Sequence, residues 1–353
     1  MRSESGAGAR TGVLRRALAR LALVAVVCGY AGLAFLRFYR PDPSDGMSGP
    51  EAAFAWLSLI GTTFLPHAGV VLLGALSVCA AARLWRAAVA GAPLVALSLG
   101  PWLLGLEPVR AGRGPAGAVG KDTLLVLSAN LLGSSRSDEE LVAQIAKHEP
   151  DVILLQEVRP GSLARLGAAL GEEYVHQAPA AREHLYGEAI FSKLPFTREP
   201  RVIMPEDGRD LPQVMAWVEW QGRELCVWDI HLHSPISLGS MAGQASLAWE
   251  MGAELDALAA AGTPAIVAGD FNSPWGGQPL DAVRERRYRE AHREVGSGIG
   301  RSWPAQGILL RLPPGIRIDH ITYSRELECV EAWGGEWTSS DHRPQFARFM
   351  WGD

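Results

Sequence analysis

Cysteine is scarce in this chain, with four residues among 353. No two of them have the C-x2-C spacing of a structural zinc site, so that class of metal site is excluded. Cys28 and Cys79 lie in long apolar runs, and Cys226 lies at a predicted core position of a strand. We expect Cys226 and Cys329 to be two buried thiols, with a disulfide between them as the alternative in an oxidising compartment.

Several common sequence signatures are also missing. The chain has no G-x-S-x-G motif, which argues against a serine hydrolase with a nucleophile elbow. The glycine-rich stretch "GAGARTG" at residues 6–12 lacks both the lysine and the preceding strand of a phosphate-binding loop. There is no internal repeat, so a solenoid or propeller is excluded.

Long apolar runs, in contrast, are prominent in the first third of the chain. Residues 21–36, 52–82 and 87–106 contain no charged side chain. About 20 apolar residues cross a bilayer core. Residues 1–109 are therefore predicted to be a transmembrane module of about three helices, near 20–37, 62–82 and 86–106. Two spans plus an interfacial helix around residues 54–60 are the alternative.

Charge is distributed unevenly along the chain. Residues 1–120 have 11 basic and 5 acidic side chains, a net charge of +6, whereas residues 121–353 have 22 and 33, a net charge of −11. Five arginines precede the first apolar run, and Arg83 and Arg86 separate the second run from the third. The positive-inside rule then predicts a cytoplasmic N-terminus and an extracytoplasmic domain after the third span.

Residues 110–120, "RAGRGPAGAVG", are predicted to be a linker, followed by a domain over 121–353. Strand and helix patterns alternate in that domain, and a helix over 137–150 is predicted to begin with a capping box at Ser137 and Glu140. A second helix is predicted over 243–262, and 273–316 has no regular pattern. Because strands outnumber helices, we expect a layered α/β sandwich and not a doubly wound sheet.

Polar side chains follow the apolar core of five predicted strands, and a sixth group lies in a loop. Each alone has a structural explanation, such as a turn, a solvated acid or a core histidine. Six together indicate one shared pocket at the edge of the strands. The groups are Asn130, Glu157, His231, Asp270 with Asn272, Asp319 with His320, and Asp341 with His342.

This set of side chains suits hydrolysis of phosphate esters or anhydrides. The charge of a transferred phosphoryl group has to be met by cations and hydrogen-bond donors, and a water has to be oriented for attack. Glu157, Asp319 and Asp341 offer oxygen ligands for a hard divalent ion, which favours Mg²⁺, with Mn²⁺ as a substitute. Asp270 is then available to orient the water.

The order of these motifs resembles the endonuclease/exonuclease/phosphatase superfamily, which includes deoxyribonuclease I-like nucleases, neutral sphingomyelinases and inositol-phosphate phosphatases. The resemblance covers about 121–353 and rests on "N", "QE", "G-AIFSK-P", "HLHSP", "GDFNSP", "RIDHI" and "SDHRP" in family order. It implies a four-layer sandwich of two packed mixed β-sheets flanked by helices. It also implies a metal held by Glu157 directly, with Asn130 beside it and Asp341 completing the site.

The same resemblance implies roles for the catalytic residues. His231 and Asn272 would bind the scissile phosphate, and Asp270 would orient the attacking water. Asp319 would pair with His342, which would stabilise the phosphoryl oxygens.

One assignment has an alternative, because "DIHLHSP" places two histidines on one face of a strand. We favour His231 as the catalytic histidine because leucine follows it, as in the family pattern. His233 is then a neighbouring substrate-binding or surface residue. We interpret His320 as structural.

The substrate is less determined by the sequence. A domain with net charge −11 argues against a stable nucleic-acid complex, and "RERRYRE" at residues 284–290 is its only dense basic segment. The segment 303–312 places Trp303, Leu309 and Leu310 just before the Asp319 strand. We predict that this loop contacts the bilayer or a lipid tail, with a buried loop as the alternative.

The combination of membrane helices and phosphohydrolase domain is similar to bacterial proteins of the teicoplanin-resistance (VanJ-type) group. That resemblance implies a multi-pass protein of the bacterial cytoplasmic membrane, acting on undecaprenyl pyrophosphate, the cell-wall lipid carrier. An extracytoplasmic nuclease, a phospholipid or sphingolipid phosphodiesterase and a non-catalytic binding scaffold are the alternatives.

Overall fold

The computed structural model describes residues 4–38, 49–103, 122–296, 300–304 and 315–352. The predicted linker 110–120 and the predicted lipid-contacting residues Leu309 and Leu310 lie outside these ranges. The first two ranges form four helices. They are α1 (Glu4–Phe38), α2 (Gly49–Thr63), α3 (Leu65–Ala81) and α4 (Trp85–Leu103).

Three of these helices pack on one another through small residues. Helix α4 contacts both α3 and α1, and a side chain at Gly91 would put its Cβ 2.6 Å from Leu76 of α3. Small residues let apolar helices approach closely in this way. The outward faces remain apolar, because Leu21, Val71 and Val89 are exposed. An exposed apolar surface of this kind marks a contact with a membrane or with another protein.

Only one described helix is both long and apolar enough to cross a membrane by itself, α1 over Ala17–Phe35. Helices α2 and α3 pass the same test together but are bent by 66° at their junction, and the apolar segment of α4, Trp85–Gly100, is shorter. Pro66 in the first turn of α3 accounts for the bend, because proline lacks the backbone donor that would continue α2. Helix α1 can thus serve as a membrane anchor or signal sequence, while the multi-pass arrangement stays a prediction.

The remaining residues form two six-stranded sheets with helices between the strands. The first half of this domain contains β1 (Leu124–Asn130), α5 (Ser135–His148), β2 (Val152–Gln156), α6 (Pro160–Leu170), β3 (His176–Ala180), β4 (Glu188–Ser192), β5 (Arg201–Ile203), β6 (Gln213–Trp220) and β7 (Arg223–His231). The second half contains α7 (Leu238–Ala260), β8 (Ala265–Asp270), a short 3-10 helix (Gln278–Leu280), α8 (Asp281–Glu285), β9 (Arg289–Glu290), α9 (Ala291–Val295), β10 (Asp319–Tyr323), β11 (Leu327–Gly334) and β12 (Gln345–Trp351).

Both sheets are mixed, with strand orders β11-β12-β1-β2-β4-β3 and β5-β6-β7-β8-β10-β9. The pairs β1–β2 and β7–β8 are parallel and the others are antiparallel. One apolar core lies between the sheets, and two others lie between a sheet and its outer helices, α5 and α6 on one side and α7 on the other. The predicted four-layer sandwich of two packed sheets flanked by helices is confirmed.

Some local predictions were wrong. Helix α5 begins earlier than predicted, after Ser134, and has no capping box. The Ser137 hydroxyl donates instead to the Leu131 and Ser134 carbonyls, and Glu140 accepts from Ser339. Both side chains are therefore bonded to groups outside the predicted capping box. The stretch predicted to be irregular, 273–316, contains the 3-10 helix, α8, β9 and α9.

The two domain cysteines are free thiols, as favoured over a disulfide. Cys226 is a buried residue of β7, and Cys329 is a buried residue of β11 in the other sheet. Burial raises the pKa of both thiols, which keeps them protonated and unreactive.

Two acids lie buried between the sheets beneath the strand ends. Asp229 accepts from the Gln156 amide at 2.5 Å, and Glu188 accepts from the Val214 backbone N–H at 3.0 Å. Burial raises the pKa of Asp229 to about 8, and burial together with Asp229 raises that of Glu188 well above its usual range. The protein therefore holds at least one proton here that the unfolded chain would release near neutrality.

We expect Asp229→Asn to stabilise the protein at alkaline pH. The folded pKa lies above the unfolded one, so the stability that protonated Asp229 provides is complete below about pH 4 and is lost as pH rises towards 8. An amide cannot ionise, so the free energies of unfolding of the variant and the parent should diverge over that window, by at most about 6 kcal/mol. The exposed Asp256→Asn should show no such divergence. An Asp229→Asn effect of equal size at pH 5 and pH 9 would contradict the assignment.

Candidate active site

The sheets bring all the predicted catalytic and metal-binding side chains of the domain to one edge. Strands β1, β2, β7 and β8 end there, β10 begins there, and the loop before β12 passes over it. The strand register places these residues side by side: Asn130 pairs with Gln156, His231 with Asp270, and Asp270 with Asp319. The side chains that meet are those of Asn130, Glu157, His231, Asp270, Asn272, Asp319, Asp341 and His342.

Asp270 lies at the centre of this cluster and is only 1% exposed. Its Oδ2 atom accepts from the Asn130 amide at 3.2 Å, and it lies 3.5 Å from His231 Nε2 and 3.6 Å from His342 Nε2. Burial, together with the nearby Asp319 and Glu157 carboxylates, raises the pKa of Asp270. A carboxylate with a raised pKa is suited to accept a proton.

The stretch "GDFN" explains how Asp270 and Asn272 are presented together. Gly269 lies in the positive-φ region, at 147°, and a Cβ there would be 1.9 Å from the Ile230 carbonyl oxygen, so only glycine fits. Asp270 Oδ1 accepts from the Asn272 backbone N–H at 2.8 Å, which makes an Asx turn. The Asn272 amide donates to the Leu232 carbonyl at 2.9 Å and is thereby fixed beside Asp270. The Asx turn after β8 therefore places both side chains in the candidate site.

His342 is held by Asp319, as the resemblance implied. Its Nδ1 lies 3.0 Å from both Asp319 carboxylate oxygens. Burial disfavours the charged ring, but the Asp319 and Asp270 carboxylates outweigh that penalty and raise the pKa of His342 to about 10. The ring is therefore a cation with Nε2 directed towards Asp270 and the site.

Two serine hydroxyls fix this pair from behind. Ser302 Oγ accepts from the backbone N–H groups of Ile318 and Asp319. Ser340 Oγ donates to the Asn130 carbonyl at 2.7 Å and accepts from the His342 backbone N–H at 3.1 Å. The second serine ties the loop before β12 to the end of β1 in the same sheet, and the His342–Asp319 pair links that loop to β10 of the other sheet.

Glu157 and Asp341 each offer an unused carboxylate oxygen. Glu157 Oε1 accepts from Asn130 at 3.1 Å, and Asp341 Oδ2 accepts from the Trp303 indole at 3.3 Å. Among the described residues, Glu157 Oε2 and Asp341 Oδ1 are buried without a hydrogen-bond partner. Burial and the Asp341 charge raise the pKa of Glu157. Unpaired carboxylate oxygens in one place fit a hard divalent cation.

A second group could also hold a metal. Ligand atoms of Asp270, Asp319 and His342 lie within 4.8 Å of one another. In this group His342 Nδ1 is already bonded to Asp319. The Glu157 Oε2 and Asp341 Oδ1 atoms have no such partner among the described residues.

The geometry also separates the two histidines of "DIHLHSP". His231 is 4% exposed and faces Asp270, and burial, with the His342 charge, lowers its pKa to about 3. His233 is half-buried at the rim, with its Nδ1 3.3 Å from the Tyr186 hydroxyl. Only His231 belongs to the central cluster.

His320 faces away from that cluster. It is buried, and its Nε2 donates to the Ser273 carbonyl at 3.0 Å. It supports the loop after β8, which agrees with a structural role.

Sequence reasoning missed two side chains of the site. Tyr186 packs against His231 and His233, with ring centroids at 4.9 and 5.3 Å. Trp303, which we grouped with a lipid-contacting loop, donates to Asp341 instead. The only available signal was position in the sequence: Tyr186 lies two residues before β4, and Trp303 lies between Ser302 and Pro304.

Comparison with known proteins now identifies the family. The sequence profile described as Endonuclease/Exonuclease/phosphatase family matches residues 127–342, which is more than half of the chain. The chain belongs to the endonuclease/exonuclease/phosphatase family. Members of this family are hydrolases of phosphate esters and generally depend on a divalent metal. No curated protein sequence matches the chain.

Solved structures of the same fold are similar to the chain at low sequence identity. An endonuclease/exonuclease/phosphatase from Beutenbergia cavernae is 20% identical, covering 66% of this chain and 72% of that one, with a TM-score of 0.52. The mannosyl-6-phosphatase of Bacteroides thetaiotaomicron is 20% identical over 65% and 100%, with a TM-score of 0.53. Truncated Caenorhabditis elegans TDP2 is 19% identical over 65% and 98%, with a TM-score of 0.55.

At these identities the structures establish the fold and not the substrate. The profile match confirms the family resemblance, and the narrower resemblance to the VanJ-type group stays a prediction.

Proposed function

We propose that this protein is a membrane-anchored, metal-dependent phosphohydrolase whose substrate is a lipid-linked pyrophosphate such as undecaprenyl pyrophosphate. The observation that carries the hydrolase assignment is Asp270, a buried carboxylate surrounded by two histidines and two asparagines within 3.6 Å. A structural acid would be satisfied by donors from its own sheet. This one is at the meeting point of two sheets, beside free carboxylate oxygens.

The roles follow from position and charge. Asp270 accepts a proton from the attacking water, which then forms a bond to phosphorus while the bond to the leaving oxygen breaks. The His342 cation and the amide of Asn272 meet the charge on the phosphoryl oxygens. Neutral His231 donates a hydrogen bond to the same group, and Asp319 orients His342.

Glu157 and Asp341 would hold the divalent ion, with Asn130 positioning Glu157. Oxygen ligands favour Mg²⁺, and Mn²⁺ accepts the same set. When bound, the ion would polarise the phosphate and neutralise the charge that accumulates on the leaving oxygen. A domain with an excess of acidic residues needs such a cation to accept a polyanionic substrate.

A lipid-linked substrate is supported by the apolar helices and by the charge of the domain. The basic segment 284–290 offers little to nucleic acid, because three of its four arginines have internal partners, Arg284 with Asp281 among them. Arg286 pairs with Asp256, and Arg289 lies over the Tyr323 ring and donates to the Leu327 carbonyl. The orientation that the arginines of the N-terminal module predict would place the site on the outer face of the membrane.

The test is Mg²⁺-dependent hydrolysis by detergent-solubilised full-length protein. Undecaprenyl pyrophosphate, a linear DNA duplex and a phosphodiester lipid are compared, with His342→Ala as the inactive control. Phosphate release from the pyrophosphate alone supports the proposal. Turnover of DNA or of the phosphodiester would keep the hydrolase and discard the substrate, and metal binding without turnover of any would favour a binding scaffold.

We expect Glu157→Gln to raise the Mg²⁺ concentration for half-maximal activity by roughly 10- to 100-fold or more. The amide retains the shape of the side chain and its bond to Asn130, but it removes the charge that attracts the ion. A titration of activity against Mg²⁺ measures the effect, with Glu219→Gln on the exposed face of β6 as control. An unchanged Mg²⁺ titration would exclude Glu157 as a ligand.

A further inference from the structure

Helix α2 lies between the C-terminal end of α1 and the N-terminal end of α3. Phe35, near the C-terminal end of α1, contacts Phe54 of α2, with ring centroids 6.0 Å apart. At its other end α2 stops at Thr63, and α3 starts at Leu65 after the 66° bend. If α1 and α3 enter the bilayer, α2 therefore lies at the level of the membrane surface and not within a span.

One face of α2 is packed on the catalytic domain. Ala55 and Leu59 form a buried cluster with Met241 of α7, and a Cβ on Gly277 would lie 3.3 Å from Leu59. The Trp56 indole donates to the Pro235 carbonyl at 2.8 Å. These contacts fix the domain to α2 next to the loop that follows the Asp270 strand.

The face turned away from the domain is apolar and half exposed. Phe54 and Leu57 are each half exposed, and no charged residue occurs from position 52 to 64. A helix in water would place polar side chains on such a face. An apolar outer face is what a helix in the membrane interface requires.

The same surface extends to the rim of the active site. The loop 232–237 runs from the His231 strand to α7, and Trp56 holds it at Pro235. The next residue, Ile236, is 82% exposed, more than any other large apolar residue that the structure describes. The Ile236 side chain is therefore presented to the surroundings on the loop between the His231 strand and α7, beside the α2 contact.

We infer that α2 lies flat in the membrane interface as a platform for the catalytic domain, and that Phe54, Leu57 and Ile236 contact the lipid bilayer. The rim of the active site then faces the membrane surface, where a phosphate carried on a lipid would be met. This inference rests on the membrane anchoring in the proposed function. A bilayer is favoured over a second copy of the chain because the surface is continuous with the two helices that flank α2.

Lipid-dependent fluorescence quenching tests this arrangement. The full-length protein, with Cys28→Ser and Cys79→Ser, receives one new cysteine, Ile236→Cys, labelled with an environment-sensitive fluorophore. It is reconstituted in phosphatidylcholine nanodiscs with or without a nitroxide on the acyl chain near the headgroup. The matched control is Val175→Cys, which is 61% exposed and precedes β3 at the opposite edge of the sheet.

We expect strong nitroxide quenching and a shift to shorter emission wavelength at position 236, with neither at 175. An unquenched label at 236, or equal quenching at both positions, would overturn the inference. Fluorescence that depends on protein concentration and not on lipid would assign the surface to a second copy. Because the readout needs no turnover, its failure is distinct from failure of the hydrolase proposal.

A second variant tests the role of α2 itself. Leu59→Glu places a charge in the contact with Met241 and should release the domain from its platform. Quenching at position 236 should then fall, while thermal unfolding of the domain is unchanged. Full quenching in this variant would show that α2 does not position the rim.

Discussion

Replacing Asp270 by Asn should lower kcat by about 10²- to 10⁴-fold, the range that a positioned general base contributes. Substrate should still bind, since His231, His342 and Asn272 keep their positions on separate strands and loops. The reason lies in the surroundings of Asp270: the carboxylate is buried, its pKa is raised, and its Oδ2 faces two imidazole nitrogens. An amide at that position cannot accept the proton of the attacking water.

The measurement is steady-state hydrolysis of the substrate that the wild type turns over, with direct binding of that substrate to the variant. Asp281→Asn serves as control, because that acid is a partly exposed partner of Arg284 and lies away from the cluster. Near wild-type kcat in Asp270→Asn would remove Asp270 from the mechanism. Loss of binding with an unfolded variant would be recognised from its thermal unfolding curve.

The central cluster was predictable from sequence because its residues are tied to strand ends. A polar residue that directly follows an apolar strand lies at the end of that strand, and the carboxyl ends of parallel strands lie at the same edge of the sheet. Asn130, Glu157, His231 and Asp270 all follow from that pattern, since β1 and β2 are parallel, as are β7 and β8. The family resemblance supplied the roles that spacing alone left open.

The supporting hydroxyls were not predictable in the same way. Ser302 and Ser340 lie outside the strands and helices, where serine is common for local reasons, and their contacts with Asp319 and Asn130 span 17 and 210 positions in the chain. The failed capping box has the same cause. Ser137 has the right spacing to Glu140, but nearby carbonyls and a distant loop use both side chains.

The contact between α2 and α7 could not be predicted from the local sequence pattern either. Residues 54–60 are uncharged and apolar except for Ser58, so hydropathy alone does not distinguish a span from an interfacial helix. The difference lies in which face is covered. Ala55 and Leu59 are buried by a helix that begins more than 170 residues later, which no window over α2 can reveal.

Asp319→Asn should lower kcat by about 10²- to 10⁴-fold at neutral pH and should also make activity strongly pH-dependent. In the wild type, the Asp319 and Asp270 charges overcome burial and raise the pKa of His342 to about 10, so the ring stays charged through the neutral range. Without the Asp319 charge, burial dominates and the pKa of the ring falls. His342 then becomes neutral as pH rises and no longer offers a cation to the phosphoryl oxygens.

The sign of the pH effect distinguishes this account from simple loss of structure. Protonation at low pH restores the cation, so the deficit of Asp319→Asn should be smaller at pH 6 than at pH 9, whereas the wild type should show no loss from His342 over that range. The kcat profiles of both proteins between pH 6 and 9 measure this, with Asp281→Asn again as control. Parallel profiles for Asp319→Asn and wild type would mean that Asp319 only holds the ring in place, and that the charge of His342 does not depend on it.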